Sequence, residues 1–278
     1  MLGGLRLAGR GAACAVGGAA WLNFAQNDGA ASRGFPAATG ARSEASGFGS
    51  AALLRDSAPH NASLLAPRDA PSAPRDAASL VRFWFAGGGR SAFQEQWFDK
   101  SSAWHVALRS DAATYRAAYA DAKKRLGDAA PEELLDAMLR GAAAGVPPEL
   151  ACLGLILLLD QLPRALFSDA RKYEAGDLAA KIARTAVLYG VDLKVPSQMR
   201  AFMYVPLLHS EDMADQDAAL AMLEKLADER ADALPFVKAA LAHRKCVQLF
   251  GRLPERNVFL GRQSTPAELK WLLRHPTA

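Results

Sequence analysis

An apolar stretch near the middle of the chain constrains the fold most strongly. Residues 149–164 read ELACLGLILLLDQLPR, and no charged residue lies between Leu150 and Leu159. Apolar residues cover every face of the helix that this stretch predicts, and such a helix belongs in the centre of a core. The stretch is too short to cross a bilayer, which takes about 20 apolar residues. We therefore expect a central helix around which the rest of the chain packs, and no membrane span.

Polar residues follow this apolar stretch, beginning with Asp160 and Gln161. A carboxylate in the last turn of a helix faces the negative end of the helix dipole. An unpaired buried carboxylate would also cost several kcal/mol, because water no longer solvates it. We therefore expect Asp160 to have a cationic or hydrogen-bond-donating partner from another part of the chain.

The first 76 of the 278 residues differ in composition from the rest. They are rich in Ala, Gly, Ser, Pro and Arg, which resembles an organelle transit peptide followed by a Pro-rich linker. This predicts that residues 1–76 are disordered and that they direct the protein to a mitochondrion or plastid. A secretory signal and a plain disordered tail of a cytoplasmic protein are the alternatives. Residues 77–278 suit a single domain.

The charge balance and the cysteine content limit the classes of function that the chain can have. The excess of basic over acidic residues is two in residues 1–76 and two in residues 77–278. So small an excess of positive charge argues against a nucleic-acid partner, because proteins that bind nucleic acids usually present a basic face. Cys14, Cys152 and Cys246 form no CxxC motif, so we expect buried thiols and no metal or cofactor.

Helical spacing of apolar residues recurs through the body, and no strand-like alternation occurs. The pattern predicts eight or nine helices in antiparallel hairpins, an all-α fold. We expect one long helix from Ser101 to Leu126. A later helix is expected over Glu211–Glu229 with Ser210 as its cap, and another over Phe236–Phe250.

Several polar residues occupy positions that should be apolar. Gln216 and His243 interrupt the apolar stripes of the last two of these helices, and arginines crowd the loop that follows. Because core-facing polar groups must find partners, we expect one shared network. The candidate site residues are Asp160, Gln161, Arg164, His209, Glu211, Asp212, Gln216, His243, Arg252, Arg256, Asn257 and Arg262.

This network has three interpretations. It is a buried set of salt bridges that fixes helix register, or a pocket in which arginines hold an anionic or mixed-charge ligand. The third is a metal site formed by His209, Glu211, Asp212 and Asp160, but that spacing is not a known ligand motif, so we expect no metal. No nucleophile motif such as GxSxG occurs.

Three motifs resemble a known family. They are Leu158–Arg164, Tyr204–Gln216, and the adjoining segments Phe250–Asn257 and Leu260–Thr265. Together they resemble the widespread, mostly bacterial domain of unknown function family 924, over roughly Leu80 to the end. The resemblance implies a TPR-like, right-handed array of helix hairpins and bears on every candidate residue except His243. It implies no established activity, substrate or cofactor.

The chain departs from the family pattern at two places that matter for the site. The family usually has a histidine where this chain has Glu255, and 172–174 reads Lys-Tyr-Glu instead of a more typical Ala-Phe-Ala. The segment between Pro131 and Pro148 is also longer than usual.

The fold and the polar cluster support two functional hypotheses. The first is a protein- or peptide-interaction module, which is a fold-level analogy, and on this hypothesis the chain is not an enzyme. The alternative is a protein or enzyme that binds an anionic small molecule. In that case Asp160 or His209 acts as acid or base, and the ligand is held by Arg164, Arg252 and Arg256.

Overall fold

The computed structural model describes residues 77–86, 95–97, 101–143 and 146–275. Helices are the only regular secondary structure in these ranges, so the prediction of an all-α protein is confirmed. The α-helices there are α1 (Ala77–Trp84), α2 (Ala103–Ser110), α3 (Ala112–Leu126), α4 (Pro131–Ala143), α5 (Pro148–Ile156), α6 (Leu162–Leu166), α7 (Gly176–Leu188), α8 (Ser197–Leu208), α9 (Met213–Glu229), α10 (Leu234–Phe250) and α11 (Pro266–Arg274). The import segment and linker predicted for residues 1–76 lie outside the described residues and stay predictions.

The apolar helix α5 lies at the centre of the core, as its composition predicts. Cys152, Leu153 and Ile156 are completely buried there. Helices α1, α4, α7 and α8 pack around α5. In the described part of the chain, no helix is both long and apolar enough to cross a membrane.

The C-terminal part of the described chain is a run of consecutive helices that pack on one another. Helix α9 packs against both α8 and α10. Short connections, 209–212 and 230–233, join these helices and make neighbours antiparallel. This run carries His209 and His243 and leads into the arginine-containing loop before α11.

The central helix does not end at Asp160, which corrects the sequence-based expectation. A π-helical turn, Leu157–Gln161, follows α5 and leads directly into α6. Pro163 has no N–H for the carbonyl of Leu159, and its ring would clash with that carbonyl in a regular α-helix. The wider π turn relieves this conflict, and single π turns of this kind are frequent at functional sites.

Two predicted helix starts are also wrong. The segment expected to form one helix from Ser101 is two helices, because the chain breaks at Asp111 and Ser102 caps α2. Short polar side chains such as those of Ser110 and Asp111 compete for backbone hydrogen bonds and favour such breaks. Asp212, not Ser210, caps α9 by accepting from the Ala214 N–H at 2.8 Å.

Two other helix boundaries follow local sequence rules. Gly251 ends α10 with a φ angle of +67°, a left-handed conformation that glycine adopts without strain. Thr265 caps α11, where its side chain and that of Glu268 form a reciprocal capping box. These two boundaries fix both ends of the arginine-containing loop.

An aromatic cluster joins the first helix to the second half of the domain. The ring of Phe202 on α8 lies 4.7 Å from that of Trp97 and 5.5 Å from that of Phe85, measured between centroids. Phe236 on α10 packs against the same ring at 5.6 Å. The edge-to-face geometry of these pairs is the favoured one for aromatic rings.

We expect Phe202→Ala to lower the free energy of unfolding by about 3–5 kcal/mol, the usual cost of emptying a buried phenylalanine site. Urea unfolding followed by circular dichroism measures this change. Leu273→Ala is the control, since Leu273 is 84% exposed. Equal losses in the two variants would contradict the central place of this aromatic cluster.

Candidate functional site

Asp160 is the buried centre of a polar cluster, with 1% of its surface exposed. Nδ1 of His209, at the end of α8, lies 2.7 and 2.9 Å from the two carboxylate oxygens. Arg164 donates to the same carboxylate at 3.2 Å, and Gln161 donates through its side-chain amide. The prediction that Asp160 has buried partners is therefore confirmed. Its carboxylate oxygens have donors on three sides.

The protonation states follow from burial and from these contacts. Burial, the largest effect, and the charge of Arg164 lower the pKa of His209 to about 3, although Asp160 acts in the opposite direction. Burial alone would raise the pKa of Asp160, but His209 and Arg164 outweigh it and hold that pKa below its usual range. At neutral pH a neutral His209 with its proton on Nδ1 therefore donates to an ionised Asp160.

His243 on α10 extends this cluster. Its ring centroid lies 5.8 Å from that of His209 in an edge-to-face arrangement. Nδ1 of His243 lies 2.9 Å from the Ala239 carbonyl oxygen, which is one turn back along α10. Burial lowers the pKa of His243, so it too is neutral at pH 7. His243, which interrupts the apolar stripe of α10, thus packs against His209 of the Asp160 cluster.

Arg164 and Arg256 approach the same aromatic ring. The guanidinium carbon of Arg164 is 5.2 Å from the ring centroid of Tyr173, and that of Arg256 is 5.1 Å from it. Both distances are within the range of cation–π interactions. Arg164 therefore connects Asp160 to Tyr173, and Tyr173 connects Arg164 to Arg256.

Arg256 is a buried cation that has no ion pair within the described part of the chain. It is 7% exposed, and its Nε atom is buried without a hydrogen-bond partner. Burial lowers the pKa of Arg256, and the positive charge of Arg164 lowers it further, although Glu255 and Glu211 act in the opposite direction. The Nε atom of Arg164 is also buried without a partner. The terminal nitrogens of Arg256 are not among the fully buried atoms that lack a partner, so they reach solvent and are free to bind an anion.

The other arginines of this loop, Arg252 and Arg262, each have a carboxylate partner, although the Nε atom of Arg262 is also buried without a hydrogen-bond partner. Arg262 forms a bidentate ion pair with Glu211 at 2.6 and 2.9 Å, and Glu211 also accepts from the Leu253 N–H. Arg252 pairs with Glu268 at 2.6 and 2.9 Å. These pairs hold the loop to the start of α9 and to α11. The expected single network is therefore two adjacent groups, only one of which contains Asp160.

The remaining candidate residues have local structural roles. Gln216 is fully buried and donates to the carbonyls of Leu208 and Ser210 at 2.7 and 2.6 Å, which satisfies the end of α8. Asp212 caps α9, and the amide of Asn257 donates to the Ser264 hydroxyl at 3.0 Å. These contacts hold the loops that lie near the Asp160 cluster. The residues that they bind are not members of that cluster.

The structure does not assemble the four residues considered for a metal site. Glu211 is occupied by Arg262, and Asp212 caps a helix. Across the described ranges, no group of three or more His, Cys, Asp or Glu side chains is arranged to hold a metal ion.

The structure adds aromatic residues that the candidate list omits. Tyr173 contacts both arginines, and Phe259 packs on Tyr173 with ring centroids 5.8 Å apart. Lys172 lies with its Nζ 4.6 Å from the centroid of Phe259. The departure of 172–174 from the family pattern was the available sequence signal, but a short connector carries no periodicity from which side-chain direction can be inferred.

Comparison with known proteins identifies the family. The fold and the cluster define an all-helical protein with a buried Asp–His–Arg group. A sequence model described as "Bacterial protein of unknown function (DUF924)" matches residues 80–275, so the chain belongs to this family. The solved structure of a protein of unknown function from Agrobacterium tumefaciens is similar, with 31% identity, a TM-score of 0.56, and coverage of 71% of this chain and 97% of that one. A search of curated proteins finds no match.

We expect Asp160→Ala to lower the free energy of unfolding by about 3–5 kcal/mol, because it removes the partner of Arg164 and of the His209 N–H in the interior. Chemical denaturation measures this loss. Asp121→Ala is the matched control, since Asp121 and Arg125 form an exposed ion pair with both side chains 61% accessible. Such pairs contribute about 1 kcal/mol or less. A similarly small effect at Asp160 would contradict its central role.

The lowered pKa of His209 predicts a pH dependence of stability. Between about pH 3 and pH 6.5 the unfolded chain binds a proton at this residue that the folded chain does not, so the free energy of unfolding rises with pH. One such group contributes at most about 1.4 kcal/mol per pH unit.

We expect His209→Gln to remove this share of the slope between about pH 4.5 and pH 6.5, measured by urea unfolding at several pH values. Because the pKa of His243 is lowered as well, His243→Gln should remove the share of His243 and retain that of His209, so the double variant should lose more of the slope than either single variant. An unchanged slope in His209→Gln would show that His209 titrates normally in the folded protein.

Proposed function

We propose that this protein binds a ligand through an anionic group, a carboxylate or a phosphate, held by Arg256 and Arg164. The observation that carries this proposal is the guanidinium of Arg256, buried without an ion pair in the described residues. Removing the partner from a buried ion pair costs several kcal/mol, because the remaining charge is uncompensated. A bound anion would supply the missing charge.

The geometry of the two arginines suits such a group. A guanidinium presents parallel N–H donors that match the oxygens of a carboxylate or phosphate. Arg256 and Arg164 approach one ring, that of Tyr173. Their positive charges repel each other, and an anion between or beside them would remove this repulsion.

The cluster reaches the protein surface at Arg164. The side chain of Arg164 is 25% exposed, whereas that of Asp160 is fully buried. Tyr173 and Phe259 are half-buried beside it. The cluster therefore extends from a sealed centre at Asp160 to an accessible edge at Arg164 and the two aromatic rings.

The source of the anion is either a free small molecule or the carboxylate at the end of a peptide. The peptide source belongs to the interaction-module hypothesis, which rests on the analogy of these helix hairpins with TPR-like arrays. The enzyme alternative also stays a prediction. Arg252 drops out of its proposed ligand-binding set, because its Nε and Nη2 atoms pair with the carboxylate of Glu268, which compensates its charge.

We expect millimolar phosphate or a small carboxylate to raise the melting temperature of the full chain at constant ionic strength, and Arg256→Met to abolish this effect. A ligand at 100 times its Kd stabilises by about 2.7 kcal/mol. Differential scanning fluorimetry measures the shift. Without ligand, Arg256→Met should be as stable as the parent or more so, because an uncompensated buried charge is removed.

Two further variants and one ligand pair make this test specific. Arg125→Met removes an exposed arginine and should retain the anion effect. Arg262→Met should destabilise the protein without ligand, because it leaves Glu211 unpaired. A peptide with a free terminal carboxylate, compared with the same peptide amidated, distinguishes the peptide source from the free molecule. An equal anion effect in Arg256→Met and the parent would refute the proposal.

A further inference from the structure

Two aromatic rings form the accessible edge of the proposed anion site. Tyr173 and Phe259 are half-buried, and their ring centroids lie 5.8 Å apart at an interplanar angle of 59°. Both guanidinium groups of the site approach the ring of Tyr173, Arg256 at 5.1 Å and Arg164 at 5.2 Å. Aromatic surface that is in contact with solvent therefore adjoins the two charges.

The backbone also holds Phe259 close to Arg256. In the turn that follows Pro254–Arg256, the N–H groups of Phe259 and Leu260 both donate to the carbonyl oxygen of Arg256, at 3.0 and 2.9 Å. The contact between Phe259 and Tyr173 then fixes the position of the ring on the side-chain level. The ring of Phe259 is thus placed beside the buried cation by two independent sets of contacts.

The outer surface of this turn is apolar. Lys172 is 8% exposed, and its Nζ lies 4.6 Å from the ring centroid of Phe259. Because Lys172 is buried, its ammonium group covers the inner part of the ring, and the accessible part of the ring is open to an incoming group. Val258 and Leu260, on either side of Phe259 in the chain, are 81% and 39% exposed. The surroundings of the buried cation therefore favour an apolar body over a polar one.

We propose that the ligand is an aromatic acid, in which a carboxylate or phosphate group that binds Arg256 and Arg164 is attached to an apolar ring that packs on Phe259. This inference rests on the proposed anion-binding function and specifies the class of its ligand. The charged group compensates the guanidinium of Arg256. The ring covers aromatic surface that is otherwise in contact with water, and aromatic pairs add a preference for edge-to-face or offset packing. A free aromatic acid and an aromatic residue at the C-terminus of a peptide share this chemistry.

The test compares acids that differ only in the ring. Hydrocinnamate is measured against propionate, and phenyl phosphate against methyl phosphate, by isothermal titration calorimetry with the full chain at constant ionic strength. We expect the aromatic acid of at least one pair to bind about tenfold tighter than its partner, because the ring buries apolar surface and packs on Phe259. Cyclohexylpropionate, which is apolar but not aromatic, should bind with an affinity between those of hydrocinnamate and propionate.

Variants of the turn assign this preference to one ring. Phe259→Leu keeps an apolar side chain without the ring, and it should reduce the preference for hydrocinnamate by at least about threefold while propionate binds as before. Phe259→Trp retains a ring and should retain the preference. Val258→Ala is the matched control in the neighbouring exposed position and should retain it as well. If Phe259 only held the loop in place, its substitution would change the binding of both acids by the same factor.

The outcomes separate the two proposals. Equal binding of hydrocinnamate and propionate to the parent, lost in Arg256→Met, would overturn the aromatic class of the ligand and retain the anion site. An undiminished preference for hydrocinnamate in Phe259→Leu would overturn the assignment to Phe259. Absence of binding for all of these acids and for phosphate would overturn both proposals.

One further comparison identifies the source of the aromatic acid. A peptide that ends in phenylalanine with a free carboxylate is measured beside the same peptide amidated and beside hydrocinnamate. Tighter binding of the free-carboxylate peptide than of hydrocinnamate would assign the site to peptide termini, and the reverse order would assign it to free aromatic acids. Circular dichroism establishes that each variant is folded.

Discussion

The buried negative charge of Asp160 determines how the polar side chains are arranged around the central helix. A carboxylate in an apolar interior keeps its charge only if donors replace the lost water. His209, Gln161 and Arg164 supply them. Because Arg164 is fixed at Asp160, the rest of its guanidinium meets the ring of Tyr173. The need to compensate the buried charge of Asp160 thus places the guanidinium of Arg164 at the edge of the proposed site.

The contrast between satisfied and unsatisfied charges separates structural from ligand-binding roles in one loop. Arg252 and Arg262 each have a carboxylate at two short distances, so their donors serve the attachment of the loop. Arg256 lies between them in sequence and is more buried than either, but no carboxylate of the described residues pairs with it. These three arginines lie within eleven positions of one another. They differ in whether the fold supplies a counter-charge.

The sequence predicts those features that depend on local rules. The all-round apolar character of residues 150–159 predicts a central helix, and Gly251 and Thr265 predict the ends of the loop. The π turn is not predictable in this way, because it depends on how Pro163 and the surrounding helices are accommodated together. Periodicity also indicates which polar residues face the core but not which partner each one meets, so it predicts one network where the structure has two.

The cation–π contact with Tyr173 does not by itself offset the cost of burying the guanidinium of Arg256. A cation–π contact contributes about 0.5–2 kcal/mol, whereas a buried charge without a partner costs several kcal/mol. The second guanidinium on Tyr173 adds repulsion, and its own counter-ion, Asp160, already has two other donors. A hydrophobic residue at position 256 would avoid this cost. An arginine at this position is accounted for if a ligand supplies the missing negative charge. Part of the binding free energy then comes from relieving the cost of the unpaired guanidinium in the free protein.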